Sequence, residues 1–296
     1  MNLGGNILLW VSMVWLPVLL CALMVRDGKP RKNMVVGVTL PYSLLADPAV
    51  ERLLGRFRRE MWITCLAVLL PAVPACLIRS FGVSMTVWLV WILVVCVVFL
   101  MPYARCNAAL RRLKAQRVGE KPGDEDRHWL WGMFYWNPQD PRLLVSARLG
   151  VGTTINLARR WGQAVAGLLA LLLLGCPLVG VWIMGMERAP VELTVAEEAV
   201  VGSHYGSTWS VALGDIADAQ LLGELPRLRR VAGTGLPSAL TGKFSSEAWG
   251  RFTCCIDPRE GPWLLLRERD GDIFLFGGSD PRETEAVFEA VRIPRK

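Results

Sequence analysis

Four stretches of this chain carry no Asp, Glu, Lys or Arg: residues 1–25, 61–78, 80–104 and 161–186. Roughly 20 apolar residues in a helix cross the hydrocarbon core of a bilayer, and each stretch supplies that length or nearly so. The composition agrees: 20% of the chain is charged, against about 25% in an ordinary soluble domain. The expected architecture is an α-helical membrane domain over 1–186 with four transmembrane helices, at about 4–25, 61–79, 81–103 and 162–185. Pro17, Pro71, Pro74 and Pro177 fall inside these runs, where neighbouring helices satisfy the freed carbonyls. Trp10, Trp15, Trp62, Trp88, Trp91 and Trp182 also lie in them, several near an end, where an interfacial ring sits. The first run reads as a retained span, because MNLGGN carries no positive charge and no small-x-small site precedes Arg26.

The connections orient the chain. Residues 26–60 hold eight Lys/Arg and residues 105–160 hold eleven, whereas the turn between the second and third spans holds only Arg79. Basic residues accumulate on the cytoplasmic side of short loops. The expected topology therefore has loops 26–60 and 104–161 in the cytoplasm, with the amino terminus and residues 187–296 outside a bacterial plasma membrane. The last region holds thirteen basic and seventeen acidic residues. The net charge of +7 is thus a loop property suited to the anionic lipids of the cytoplasmic leaflet, and nucleic acid is not an expected partner.

Six of the eight cysteines lie singly in or beside the spans, as small hydrophobes do. Cys254 and Cys255 are neighbours, so strand alternation directs one inward and one outward; a structural role is favoured over redox or metal chemistry. In the first loop, Asp47 caps a helix that opens on Pro48. Val50, Leu53, Leu54, Phe57 and Met61 then share a face, as in an amphipathic helix lying on lipid. The second loop begins by continuing the third helix into water. The acids Asp124, Glu125 and Asp126 read as a solvated turn. HWLWGMFYW, NPQDP and RLLVSAR suggest a hairpin that turns at the prolines. Trp129, Trp131, Trp136 and Trp161, with Tyr135 beside them and with Arg142, Arg148, Arg159 and Arg160, suit a headgroup interface. Gly150 and Gly152 are not a dinucleotide fingerprint, since the third glycine and the βαβ unit are missing.

GVTLP at 37–41, FYWNPQDPR and LGVGTTINLARRWG resemble a family of Gram-positive multi-span membrane proteins whose shared domain has no assigned function. Asn137, Pro138, Asp140, Pro141, Gly150, Gly152, Thr154 and Asn156 carry the resemblance, which extends over roughly residues 30–185. It implies no chemistry. Some members of that family are joined to segments resembling toxin-immunity proteins.

Residues 187–296 suffice for one small domain. Asp270-Gly271 between apolar strands predicts a two-residue hairpin turn. That register sets Glu268 opposite Ile273 and Leu266 opposite Leu275, and buries Leu264, Leu266, Ile273 and Leu275 on one face. Asp280, Pro281 and Glu283 open a final helix whose inward stripe is Val287, Phe288 and Val291. The order of elements resembles the bacterial pleckstrin-homology-like domain, which implies a small α+β fold: a β-barrel capped by one helix. The lipid-binding loop of eukaryotic relatives is basic, and the corresponding region here offers acids and His204.

No catalytic constellation, cofactor motif or metal set stands out. His128 and His204 are the only histidines and fall in different regions. The expectation is a non-enzymatic membrane protein displaying an outer recognition domain for an unknown protein partner, as a scaffold, envelope sensor or toxin-immunity protein. The alternatives are a membrane enzyme acting on lipid or peptide and a small-solute transporter. The latter is disfavoured because the spans lack ionisable side chains along which solutes and protons move.

Overall fold

The computed structural model describes residues 3–119, 124–148 and 152–292. Contacts divide the chain into two units, one of residues 2–78 with 84–179 and one of residues 79–83 with 180–296.

The first unit is helical. Helices α1 (Leu3–Val11) and α2 (Trp15–Asp27) lead into a hairpin of β1 (Met34–Val35) and β2 (Val38–Thr39). After the short α3 (Tyr42–Leu45) come α4 (Pro48–Leu69), α5 (Ala72–Ala75), α6 (Phe81–Val98) and α7 (Leu100–Val118). Three helical segments are long and apolar enough to cross a membrane: Asn6–Asp27, Phe81–Val118 and Arg160–Arg188. The run 61–78 forms no helix of its own. It is the apolar end of α4, which stops at Leu69, and the one-turn α5 follows. Pro71 and Pro74 remove the N–H groups that would continue the ladder and clash with the preceding turn.

The side chains nevertheless set these segments at matching heights. Asn6 donates to the carbonyls of Cys76 (2.9 Å) and Ile78 (2.8 Å) and accepts from Ser84. Further along, Trp10 meets Trp91 edge-on at 5.5 Å, and Trp91 donates to the Val68 carbonyl at 2.7 Å. At the far end Phe57 packs edge-on against Tyr103 (5.9 Å), and Gly28 lies against the Phe57 ring. Residues 6–28 therefore run antiparallel to 57–78, and 84–103 runs antiparallel to the latter.

Asp47 caps α4 as its sequence foretells, accepting from the Ala49 N–H at 2.8 Å with Pro48 in the first turn. The stripe on α4 is also present, but it does not face lipid. Val50, Leu54, Phe57 and Met61 are buried in the core with Cys21 of α2 and Tyr103 and Leu110 of α7. The periodicity reports which face is covered and not by what. Each such fully buried side chain contributes ~1.5–3 kcal/mol, which here holds α4 to its neighbours.

The rest of the first unit is a loop assembly and the start of α8 (Arg160–Arg188). β3 (Trp129–Leu130) pairs with β4 (Phe134–Tyr135), and β5 (Leu144–Ser146) pairs with β6 (Thr153–Ile155). The expected hairpin across the prolines is not formed. The chain reverses instead at Trp131 and Gly132, both at positive φ (52° and 73°), so each flanking strand finds its partner locally.

The second unit is sheet-rich. β7 (Val191–Ala196), β8 (Ala199–His204) and β9 (Ser207–Ala212) form a meander. β10 (Ile216–Leu222), β11 (Arg229–Gly235), β12 (Leu240–Ser246), β13 (Gly250–Ile256), β14 (Trp263–Glu268) and β15 (Ile273–Gly277) form a second sheet in the order β10-β14-β15-β13-β12-β11. β13 and β15 are parallel, and the two sheets do not close into a barrel. Helix α9 (Pro281–Arg292) turns Val287, Phe288 and Val291 onto the core between the sheets. Asp280 accepts from the Arg282 N–H at 2.9 Å, whereas Glu283 reaches the Leu193 N–H at 3.2 Å and ties α9 to β7.

The β14–β15 hairpin is offset by one residue from its expected register: Leu265 pairs with Leu275 and Leu266 with Phe274. Gly271 takes φ +98°, and Gly271 N–H bonds the Glu268 carbonyl at 3.1 Å, which makes a three-residue loop. Such a slip exchanges faces. Leu264, Leu266 and Phe276 enter one core, Leu265 and Leu275 the other. Both faces of this sheet are covered. Alternation does send Cys255 and Cys254 to opposite sides, but each is buried, one in each core. Burial pushes the Cys255 thiol up to about 12 and raises Cys254 as well, so both stay protonated and pack as apolar groups.

Candidate functional site

Residues 134–148 and 152–162 form a knot around Asn156, which is fully buried. Its side-chain amide donates to the carbonyls of Asn137 (2.9 Å), Asp140 (3.2 Å) and Arg142 (3.4 Å). Its oxygen accepts from the N–H groups of Asn137 and Ala158, both at 3.1 Å. One residue therefore gathers the Asn-Pro-Gln-Asp-Pro turn and the start of α8. Asn137 closes an Asx turn onto Gln139 (2.9 Å) and donates to the Tyr135 hydroxyl (3.1 Å), which donates to Asp140 (3.0 Å). Arg142 grips both oxygens of Asp140, at 3.0 and 2.8 Å, and also donates its backbone N–H. Those contacts from Arg142, with Tyr135 adding to them, hold the Asp140 carboxyl well below the usual carboxylate range. Arg159 donates to the Asp140 carbonyl at 2.8 Å, and a Cβ on Gly162 would lie 2.1 Å from the Asn156 carbonyl.

The polar atoms of this knot are spent on one another. Tyr135, Asn137, Asp140, Arg142 and Asn156 come together, while Pro138 and Pro141 stand at exposed corners. Thr154 sits opposite Val145 in the β5–β6 ladder and outside the knot, and Gly152 (φ +124°) serves the turn before β6. Gly150 lies outside the described residues. Trp131 belongs to the β3–β4 turn. Trp131, Trp136 and Trp161 are 50%, 43% and 76% exposed, an apolar fringe around a polar interior.

A second cluster was not legible in the sequence. Asp126, expected in a solvated turn, is 4% exposed. It accepts from the Thr39 N–H (3.1 Å), from Lys114 (2.7 Å) and from Arg148. Burial by itself would raise its pKa; the hydrogen bonds from Lys114 and Arg148 outweigh that and hold it below the ordinary value. Arg148 also donates to the Gly37 carbonyl (3.1 Å) and lies over the Trp129 ring at 5.1 Å. Both side chains are buried in this cluster and do not stand at the expected headgroup interface. Asn107 completes the clamp by donating to the Val36 carbonyl at 2.8 Å.

The two loops meet back to back at Gly37 and Gly132, both at positive φ. A Cβ on Gly37 would lie 2.7 Å from the Gly132 Cα. Gly37→Ala is expected to push the loops apart at a cost of about 1–3 kcal/mol. A lower unfolding midpoint in detergent and faster proteolysis after Arg127 would register it.

Residues 138–163 match a family of unknown function, DUF5808. No curated protein and no solved structure matches the chain. The matched stretch contains Asp140, Arg142, Asn156, Arg159 and Gly162, the residues that close the knot. Arg159, expected to meet lipid phosphate, instead bonds the Asp140 carbonyl. Gly162 was missed from sequence, although a glycine six residues after the asparagine signals a close backbone approach.

In the knot the Asp140 carboxylate and the side-chain oxygens of Asn137 and Asn156 already accept hydrogen bonds. Among the described residues, one trio of acids could converge on a cation: Glu268, Asp270 and Asp272. Hairpin geometry accounts for it, because Asp270 accepts from the Asp272 N–H (3.1 Å) and the Glu268 N–H bonds the Asp272 carbonyl (2.8 Å).

Proposed function

We propose that this chain is a non-enzymatic membrane protein whose loop knot seats and aims the last span, and whose carboxyl-terminal domain recognises a partner. The observation that carries the reading is the division of labour in residues 129–161. The polar motif side chains satisfy each other, and Trp131, Trp136 and Trp161 around them stay exposed, whereas Trp129 is buried. A catalytic loop needs the reverse: an accessible polar group with spare hydrogen-bonding capacity. Exposed indoles and arginines are what a membrane interface rewards.

Four crossings are supported by the matched heights of residues 6–28, 57–78 and 84–103. The second crossing is then a helix finished by a proline-broken turn, tolerated where protein covers the backbone. With basic loops 26–60 and 104–161 cytoplasmic, the carboxyl-terminal domain is extracytoplasmic in a bacterial plasma membrane. Its sheets closed by α9 favour a recognition module of the pleckstrin-homology-like kind, built open around a parallel β13–β15 pair. Scaffold or envelope sensor are the roles such a display serves; immunity to a toxin is the same display with a toxin as partner.

Alkaline phosphatase fused after Lys296 is expected to be active in cells, and the same fusion after Val118 inactive. Activity of the second and silence of the first would reverse the orientation. Photo-crosslinking from the carboxyl-terminal domain in intact cells then identifies the partner, and turnover of a captured small molecule would contradict the non-enzymatic reading.

A further inference from the structure

A cavity of about 310 Å³ lies between α4 and α7. One face of each helix lines it, from Leu53 to Glu60 on α4 and from Arg105 to Arg112 on α7. Arg56 and Glu60 lie one turn apart on α4, and Arg105 and Arg112 lie two turns apart on α7. Between the last two, Ala108 and Ala109 face the space across from Phe57. Small side chains on one wall open the cavity, and an aromatic floors it.

The charge within it is unbalanced. Arg56 pairs with Glu60 at 2.7 Å, which cancels one cation and the single anion. Arg105 and Arg112 have no hydrogen-bond or ion-pair partner among the described residues, so the cavity presents two unspent guanidinium groups. Its position is equally specific. Glu60 is the last charged residue before the charge-free run 61–78, and Arg105 the first after the charge-free run 80–104. Both helices pass from polar to apolar at this level, which is where phosphates of a bilayer lie. Trp62, 47% exposed, marks the same height.

The geometry points to a binding site for the phosphate headgroup of an anionic phospholipid, held by Arg105 and Arg112 with its acyl chains descending along the apolar part of α4. Guanidinium forks suit a phosphodiester, and basic pockets between membrane helices take such headgroups. The inference rests on the membrane reading above and is independent of which side the loops face.

The test uses the full chain in nanodiscs of phosphatidylcholine and phosphatidylglycerol, followed by native mass spectrometry in mild detergent. Phosphatidylglycerol is expected to stay bound and phosphatidylcholine to leave, with excess inorganic phosphate failing to displace the lipid. Arg105→Gln with Arg112→Gln is expected to weaken retention about tenfold or more. Ala109→Leu keeps every charge, fills the space and is expected to do likewise, so a folding defect in the first variant leaves the site testable. Equal retention of both lipids, or undiminished retention in both variants, overturns the site. Displacement by inorganic phosphate overturns the lipid in favour of a free anion. A chain that does not enter nanodiscs sinks the membrane reading and the site together.

Discussion

Asn156→Ala is expected to unfold the loop knot while leaving the carboxyl-terminal domain folded. The substitution removes five hydrogen bonds from a fully buried side chain. It also strands two N–H groups and the carbonyls of Asn137, Asp140 and Arg142. Net values near ~1 kcal/mol for each bond, with a further penalty for buried groups left unpaired, put the loss at about 3 kcal/mol or more. Tryptophan fluorescence on heating in detergent should show an earlier transition, and protease should cut between Tyr135 and Arg160. Pro138→Ala, at an exposed corner of the same turn, is expected to cost less than ~1 kcal/mol. If Asn156→Ala kept the parent's unfolding profile yet abolished a cellular activity, the loop would be chemical and not structural.

Asp126→Asn is the second large effect. Its carboxylate faces Lys114 and Arg148, whose side chains are only 15% and 9% exposed. Removing the negative charge leaves Lys114 with Asp124 alone and Arg148 with the exposed Glu125 alone among the described acids. The about 3–5 kcal/mol lost when one partner of a buried pair is removed is therefore an upper bound on the cost. Acid should do the same reversibly. The folded-state pKa of Asp126 is depressed, so its contribution is fully present above the unfolded value of about 3.9. It is lost as pH falls below that value and through the folded pKa. The clamp between residues 36–39 and 126–148 is therefore expected to hold at neutral pH and to open below about pH 4. Asp126→Asn, lacking the titrating group, should lose that part of the acid dependence, which hydrogen exchange at the Thr39 amide can follow.

What the sequence discloses here is mostly local. Asp47-Pro48 names a helix start because cap and first turn are adjacent. Three of the four charge-free runs name long apolar helices, whereas in 61–78 Pro71 and Pro74 override length. The stripe of α4 could be located but not assigned a neighbour, since lipid and protein cores select the same side chains. Asp270-Gly271 correctly marked a turn, yet the left-handed glycine could close a two- or three-residue loop, and that single residue sent Ile273 and Leu275 to the face opposite Leu264 and Leu266. The clamp was invisible for a different reason. Thr39 and Asp126 are separated by 87 positions, and a lone aspartate in an acidic run looks the same whether it is solvated or buried. The Asn-Pro motif sat between these cases. Its residues could be nominated from sequence, but only coordinates show that they bind each other.

The last turn of α8 brings one further point. Glu187 accepts from the Ser80 hydroxyl (2.7 Å) and from the N–H groups of Phe81 (3.1 Å) and Gly82 (2.9 Å), the opening residues of α6. That cap arrives 106 positions after the helix it finishes. During synthesis the start of α6 must therefore wait for this cap until the ribosome has delivered the end of α8. Biogenesis thus has a final latch, and a product truncated ahead of Glu187 would leave the assembly unlocked.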